Sequence, residues 1–201
     1  MTTPRDRAVS DLPGRTLVAG VGNIFLGDDG FGVETVQRLA RLPAPAGVGA
    51  MGDVGAIEYM DVGIRGVHLA YRLLEGYRHL VLVDALARGA EPGTLCVLDA
   101  TEEVTGEAPD SPAGPAGPAV DAHALDPAAV LRLIRGLHRS LGAAAPAEVH
   151  VVGCEPRDTD EAIGLSPPVA AAVPRAMELV TRLTTGCGVR TTEPAGRSRM
   201  D

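Results

Sequence analysis

Hydrophobic residues in this chain occur in short continuous runs separated by longer amphipathic stretches. Short apolar runs bounded by turn residues are typical of strands buried on both faces, and apolar residues at three- and four-residue spacing are typical of helices packed on a core. The runs that predict strands are residues 15–21, 80–84, 94–98 and 148–153, and alternating apolar and polar residues predict a further strand at 56–61. The stretches that predict helices are residues 33–40, 67–74, 126–140 and 167–183.

The order of these elements predicts how the strands pair. Strands separated by a helix lie parallel, because a helical crossover returns the chain to the same end of the sheet. The runs 80–84 and 94–98 are too close for a crossover, so one strand is antiparallel. We therefore expect an α/β fold: a three-layer α/β/α sandwich around a mixed, mostly parallel five-stranded sheet with one antiparallel strand.

The domain boundaries follow from composition. Residues 15–185 contain all the predicted elements, and we expect them to form a single domain. Residues 1–14 and 186–201 are polar and predict flexible tails. Residues 101–122 are acidic and then rich in proline, alanine and glycine, a composition with little to bury, and they predict a mobile loop.

Composition also narrows the class of partner and the compartment. A net charge of −8, 2% aromatic residues and no tryptophan argue against binding to nucleic acid. The three cysteines form no C-x-x-C pair, which favours a reducing compartment. The N-terminus lacks the apolar core of a signal peptide, and no apolar run reaches membrane-spanning length. These features predict a cytoplasmic protein without membrane insertion.

The first strand leads into a glycine-rich turn, Gly20–Gly32, that carries the adjacent acids Asp28 and Asp29. Such a turn usually cradles a phosphate, but two carboxylates would repel one. The dinucleotide-binding pattern also fails, because Phe25 stands where a third small residue is needed. The turn therefore favours a cation or a proton. The structural alternative is helix capping, which needs only one of the two acids.

Further polar residues are expected at the same edge of the sheet. Asp61 ends the second strand, Asp84 ends the third, and His123 precedes a helix. In open sheets of this kind, ligands bind beyond the carboxyl ends of the strands. Carboxylates with one imidazole would suit a borderline metal such as zinc or nickel. The alternatives are loop hydrogen bonding for Asp61, capping for Asp84 and a surface position for His123.

Other routes to catalysis have weaker support in the sequence. Cys154 follows a strand and could be a nucleophile, but no histidine adjoins it, and a small buried hydrophobe is the alternative interpretation. The chain has no G-x-S-x-G elbow, no H-E-x-x-H helix and no P-loop lysine. The common hydrolase and nucleotide-binding motifs are therefore missing.

The motifs together resemble those of the [NiFe]-hydrogenase maturation endopeptidases. The matching segments are Gly20–Gly32, Asp61–Gly66, Val83–Ala85 and Gly164–Ser166, within a resemblance that runs from about residue 15 to 185. The resemblance implies a cytoplasmic endopeptidase that removes a short C-terminal extension from the hydrogenase large-subunit precursor after nickel insertion. It also implies that nickel, carried by the substrate, is the recognition signal.

The resemblance assigns roles to individual residues. Its metal-contacting and catalytic positions fall on Asp29, Asp84 and His123, and Asp61 and Gly63 would line the groove where the large subunit docks. We expect a monomer. Two other functions stay open: a non-catalytic maturation factor that binds nickel and the large subunit, and a metal-dependent hydrolase of a small molecule on the same fold.

Overall fold

The computed structural model of this protein describes residues 14–43, 55–106 and 127–185. His123 and most of the segment predicted to be a mobile loop lie outside the described residues. The same holds for residues 1–13 and 186–201, where tails are predicted. The nine predicted strands and helices all fall within the described ranges, apart from the first residue of the helix predicted at 126–140.

Five strands form one sheet in the order β2-β1-β3-β5-β4. Their bounds are β1 Thr16–Val21, β2 Ile57–Gly63, β3 His79–Ala85, β4 Leu95–Asp99 and β5 Glu148–Cys154. All neighbouring strands are parallel except β4, which runs antiparallel to β5. The predicted fold class, with its one antiparallel strand, is confirmed.

The described helices cover both faces of this sheet. Their bounds are α1 Phe31–Ala40, α2 Gly66–Leu73, α3 Thr101–Thr105, α4 Pro127–Leu141 and α5 Pro167–Thr184. Successive strand residues point to opposite faces. Thus Val18 packs with α1 and α5, whereas Leu17 and Ala19 belong to the core that contains α2, α3 and α4. Because helices cover both faces of the sheet, the side chains on both sides of these strands are buried and must be apolar. This explains the continuous hydrophobic runs.

The prediction of a loop at 101–122 is wrong for its first residues, which form helix α3. The Asp99 carboxylate accepts a hydrogen bond from the Thr101 backbone N–H at 2.9 Å, which supports the start of this helix. Val104 is buried in the core beside α4. The buried Val104 side chain and the hydrogen bond between Asp99 and Thr101 thus support a short helix that the acidic composition of this segment did not predict.

Candidate functional site

The carboxyl ends of four parallel strands meet at one edge of the sheet. The strands β2, β1, β3 and β5 end there at Gly63, Val21, Ala85 and Cys154. Their pairing in register, with Gly20 opposite both Asp61 and Val83, places the residues that follow each strand side by side. The sheet edge predicted to hold the site is therefore formed by the strands that carry Asp61 and Asp84.

The glycines of the turn allow the chain to fold back over this edge. Gly22 has φ +121°, and a Cβ there would collide with the backbone carbonyl of Asp29. Gly32 lies so close to the sheet that a Cβ would strike the carbonyl oxygens of Val21 and Val83. These two glycines let the turn and the first turn of α1 pack against β1 and β3.

Asp29 lies at this edge in a short 3₁₀ turn, Gly27–Gly30, that contacts β3. Its side chain is half-buried, and the Oδ2 atom accepts a hydrogen bond from the Asn23 backbone N–H at 2.6 Å. Helix α1 has Gly30 as its N-cap and no side-chain cap. The capping interpretation of the acid pair is therefore wrong, because both acids lie within the 3₁₀ turn that precedes the helix and neither side chain caps it.

Asp28 has a different role from its neighbour, because its buried carboxylate binds a distant loop. Oδ1 accepts the Ser166 backbone N–H at 2.6 Å, and Oδ2 accepts the Arg157 backbone N–H and the Ser166 hydroxyl, both at 2.8 Å. Burial alone would raise the pKa of Asp28, but hydrogen bonds from Ser166, Arg157 and Asp158 hold it below its usual value. Asp28 thus joins the turn to the start of α5.

Asp84, at the end of β3, is 3% exposed. Its Oδ1 atom accepts a hydrogen bond from the Ala85 backbone N–H at 2.8 Å. A carboxylate buried at a strand end, beside a turn that carries a second carboxylate, is costly unless a cation or hydrogen-bond donors compensate it. The structure thus places Asp29 and Asp84 at one edge of the sheet, in a turn and a strand that contact each other.

Asp61 and Gly63 lie at the same edge on the adjoining strand. Asp61 is exposed, and its Oδ2 atom accepts a hydrogen bond from the Gln37 side-chain amide of α1 at 2.8 Å. The Gly63 carbonyl accepts the Gly22 backbone N–H at 3.1 Å, which joins the end of β2 to the glycine-rich turn. Both residues therefore flank the turn, and their role in docking a substrate stays a prediction.

The third predicted ligand, His123, lies outside the described residues. Within the ranges 14–43, 55–106 and 127–185, no group of three histidine, cysteine, aspartate or glutamate side chains could hold a metal ion. Two other histidines, His79 and His150, contact each other at 3.0 Å, but His79 begins β3 at the opposite end of that strand. A three-residue ligand set with His123 remains a prediction.

Cys154 does not have the properties of a nucleophile. Its side chain is fully buried in the core between the sheet and α5. Burial, reinforced by the nearby Asp28 carboxylate, raises the pKa of the Cys154 thiol to about 12. The thiol is therefore neutral at physiological pH, whereas the thiolate is the reactive form. The interpretation of Cys154 as a small buried hydrophobe is confirmed.

Sequence reasoning missed one carboxylate at this edge, Glu155. Its buried side chain accepts the backbone N–H groups of Arg88 at 2.7 Å and Gly89 at 3.0 Å. Burial alone would raise the pKa of Glu155, but these hydrogen bonds hold it below its usual value. Glu155 thereby fixes the loop after β3. Its partners lie more than sixty residues away in the chain, so no local pattern could reveal them.

The comparison with known proteins identifies the family. The model of the hydrogenase maturation protease family matches residues 33–183. A putative hydrogenase maturation protease from Methanocaldococcus jannaschii is 32% identical, over 82% of this chain and 92% of that protein. The chain belongs to the hydrogenase maturation protease family. The Escherichia coli hydrogenase 2 maturation protease is 30% identical, over 87% of this chain and 93% of that protein.

Solved structures agree with this family assignment. The hydrogenase maturating endopeptidase HybD from Escherichia coli superposes with a TM-score of 0.62 at 29% identity, covering 88% of this chain and 95% of that one. The HycI protease from Thermococcus kodakarensis has a TM-score of 0.57 at 22% identity, covering 89% and 97%, and supports the fold alone. The chain is thus a hydrolase, an endopeptidase of hydrogenase maturation. Of its described helices, none is long and apolar enough to cross a membrane.

Proposed function

We propose that this endopeptidase removes the C-terminal extension of the [NiFe]-hydrogenase large-subunit precursor, and that it acts in the cytoplasm on precursor loaded with nickel. The observation that carries the proposal is the pair of carboxylates at one sheet edge in a member of this family: Asp29 in the turn that follows β1, and Asp84 at the end of β3, which that turn contacts. Such a pair offers hard oxygen ligands to a divalent cation at the surface where a partner would approach.

The proposed chemistry uses the nickel that the substrate brings. Asp29, Asp84 and His123 would complete the coordination of a nickel ion held by the cysteines of the precursor. The bound cation would polarise a water molecule or the carbonyl of the bond to be cut, so that water adds and the peptide bond breaks. Since the ligand set is complete only in the complex, the free enzyme need not hold a metal.

The direct test is to incubate the purified protein with precursor prepared with and without nickel, and to record the mass of the precursor. We expect loss of the C-terminal extension only from the nickel-loaded form. Equal cleavage of both forms would refute nickel recognition. Binding without any change in mass would refute the endopeptidase and favour a non-catalytic maturation factor.

Three substitutions test the proposed residues. Asp29→Asn and Asp84→Asn remove a charge at constant size, and His123→Ala removes the imidazole. We expect each to reduce the processing rate at least a hundredfold while the circular dichroism spectrum is retained, roughly the loss that follows removal of one electrostatic contact in a transition state. Glu103→Ala, an exposed acid on α3, is the matched control and is expected to process normally.

A further inference from the structure

A groove of about 380 Å³ opens beside the glycine-rich turn, between α1 and the loop that precedes α5. Its volume lies within the range of about 300–1,000 Å³ that is usual for ligand sites. Gly27 and Gly30 line it, and these two residues flank the acid pair Asp28 and Asp29. Whatever occupies this groove therefore lies next to the turn that carries Asp29.

Three large apolar side chains at the groove are exposed to solvent. Ile24 is 47% exposed, Phe25 63% and Ile163 88%. Single exposed apolar residues are common on protein surfaces, but a cluster beside a cleft marks an interaction site. Phe25 is also one of only two phenylalanines in the chain.

The backbone beneath these side chains is fixed by hydrogen bonds. The Phe25 N–H donates to the Asn23 side chain at 3.0 Å, and the Phe25 carbonyl accepts the Ala162 N–H at 3.0 Å. The Ala162 carbonyl in turn accepts the Gly27 N–H at 3.0 Å. Because both loops are held together, Phe25 and Ile163 are presented to a ligand with little backbone entropy left to lose.

The wall of the groove formed by α1 contributes positive charge. Arg38 is paired with Glu34. Arg41 is exposed and has no ion pair or side-chain hydrogen bond with any residue of the described ranges. In a chain with a net charge of −8, a guanidinium on the wall of this groove that has no partner among the described residues favours a ligand that combines apolar side chains with a carboxylate.

We propose that this groove binds the C-terminal extension of the precursor, with its apolar side chains between Phe25 and Ile163 and its terminal carboxylate at Arg41. The inference rests on the proposed function and specifies which part of the substrate the enzyme holds. An open groove of this size fits a few residues of extended peptide rather than a folded surface. The extension also provides the negative charge that Arg41 can bind.

The kinetic test uses nickel-loaded precursor and the variants Phe25→Ala, Ile163→Ala and Arg41→Gln. We expect KM to rise about tenfold for each apolar truncation, the amount expected for a side chain that is buried on binding, with kcat changed less than twofold. Tyr71→Ala is the matched control, because Tyr71 is 58% exposed on α2, away from the groove lining. Its KM should stay at the wild-type value.

A binding test separates this inference from the proposed function. A fluorescent peptide with the sequence of the extension should bind the wild-type protein, and should bind more weakly when its C-terminus is amidated or when Arg41 is replaced. Peptide binding that depends on Phe25, without precursor cleavage, would support the groove and refute the proposed function. Normal cleavage with unchanged KM in Phe25→Ala and Ile163→Ala would overturn the groove assignment and leave the proposed function intact.

Discussion

The Asp28→Asn substitution tests how the glycine-rich turn is held in place. The change keeps the volume of the side chain but replaces one carboxylate oxygen by an NH₂ group. Asp28 is 1% exposed, so water cannot substitute for a lost partner. In the native protein, its two oxygens accept hydrogen bonds of 2.6–2.8 Å from the Arg157 N–H, the Ser166 N–H and the Ser166 hydroxyl.

The expected loss in the free energy of unfolding follows from counting those hydrogen-bond donors. In either orientation of the new amide, one backbone N–H, that of Arg157 or that of Ser166, faces the NH₂ group instead of an acceptor. The Ser166 hydroxyl can rotate and accept, so it is not lost. One donor left without an acceptor beside a buried side chain and the weakening of charge-assisted hydrogen bonds each cost about 1–3 kcal/mol. We therefore expect the free energy of unfolding to fall by about 3 kcal/mol.

Urea denaturation measures this change. It is followed by far-ultraviolet circular dichroism, because the chain has no tryptophan whose fluorescence could report unfolding. Ser166→Ala is the control, because it removes only the hydroxyl and should cost about 1 kcal/mol. The pKa of Asp28 is lowered on folding, so its stabilisation is present above the unfolded value of 3.8 and is lost as the pH falls further. The difference between wild type and Asp28→Asn should accordingly shrink in acid. A variant within 0.5 kcal/mol of wild type at pH 7 would refute the reasoning.

Three further predictions concern other parts of the fold. Glu58 accepts hydrogen bonds from Arg15 and Arg72. Urea denaturation of Glu58→Gln should therefore show a free energy of unfolding lower by about 2 kcal/mol. An unchanged value would contradict a stabilising role for these ion pairs. Burial and the nearby His150 lower the pKa of His79 to about 4. Between pH 6.5 and 4 the unfolded chain therefore binds a proton at His79 more readily than the folded protein does. As the pH falls through this window, the free energy of unfolding should decrease by about 3 kcal/mol, and His79→Gln should remove this decrease. Cys154→Ala should process precursor at the wild-type rate, because the buried thiol is neutral; loss of cleavage in a folded variant would restore Cys154 as a nucleophile.

The sequence was most informative where local patterns have only one physical solution. A continuous apolar run such as 80–84 must be buried on both faces, and β3 is indeed covered by helices on both sides. The short connection before Thr94 excluded a helical crossover, and β4 is antiparallel as predicted. Periodicity and connection length, both local properties, were sufficient to predict the fold class.

Local patterns were less informative where one side chain could satisfy either a neighbour or a distant group. Asp28 and Asp29 are adjacent and chemically identical, and the alternative role predicted from the sequence was helix capping by one of them. In the structure Asp29 binds Asn23 within the turn, whereas Asp28 binds Ser166, which is 138 residues away. The partner of each carboxylate depends on which loops meet in space, and no local pattern in the sequence shows this.

The sequence by itself therefore determined the sandwich fold, the family resemblance and the acids at the strand ends, because hydrophobic period and motif spacing are encoded along the chain. The tertiary structure buried Asp28 against Ser166, left Asp29 half-buried at the sheet edge, assigned Cys154 to the core, and brought Ile163 beside Phe25 to form a groove. These features depend on burial and on contacts between distant segments, and they exist only once the loops have packed together.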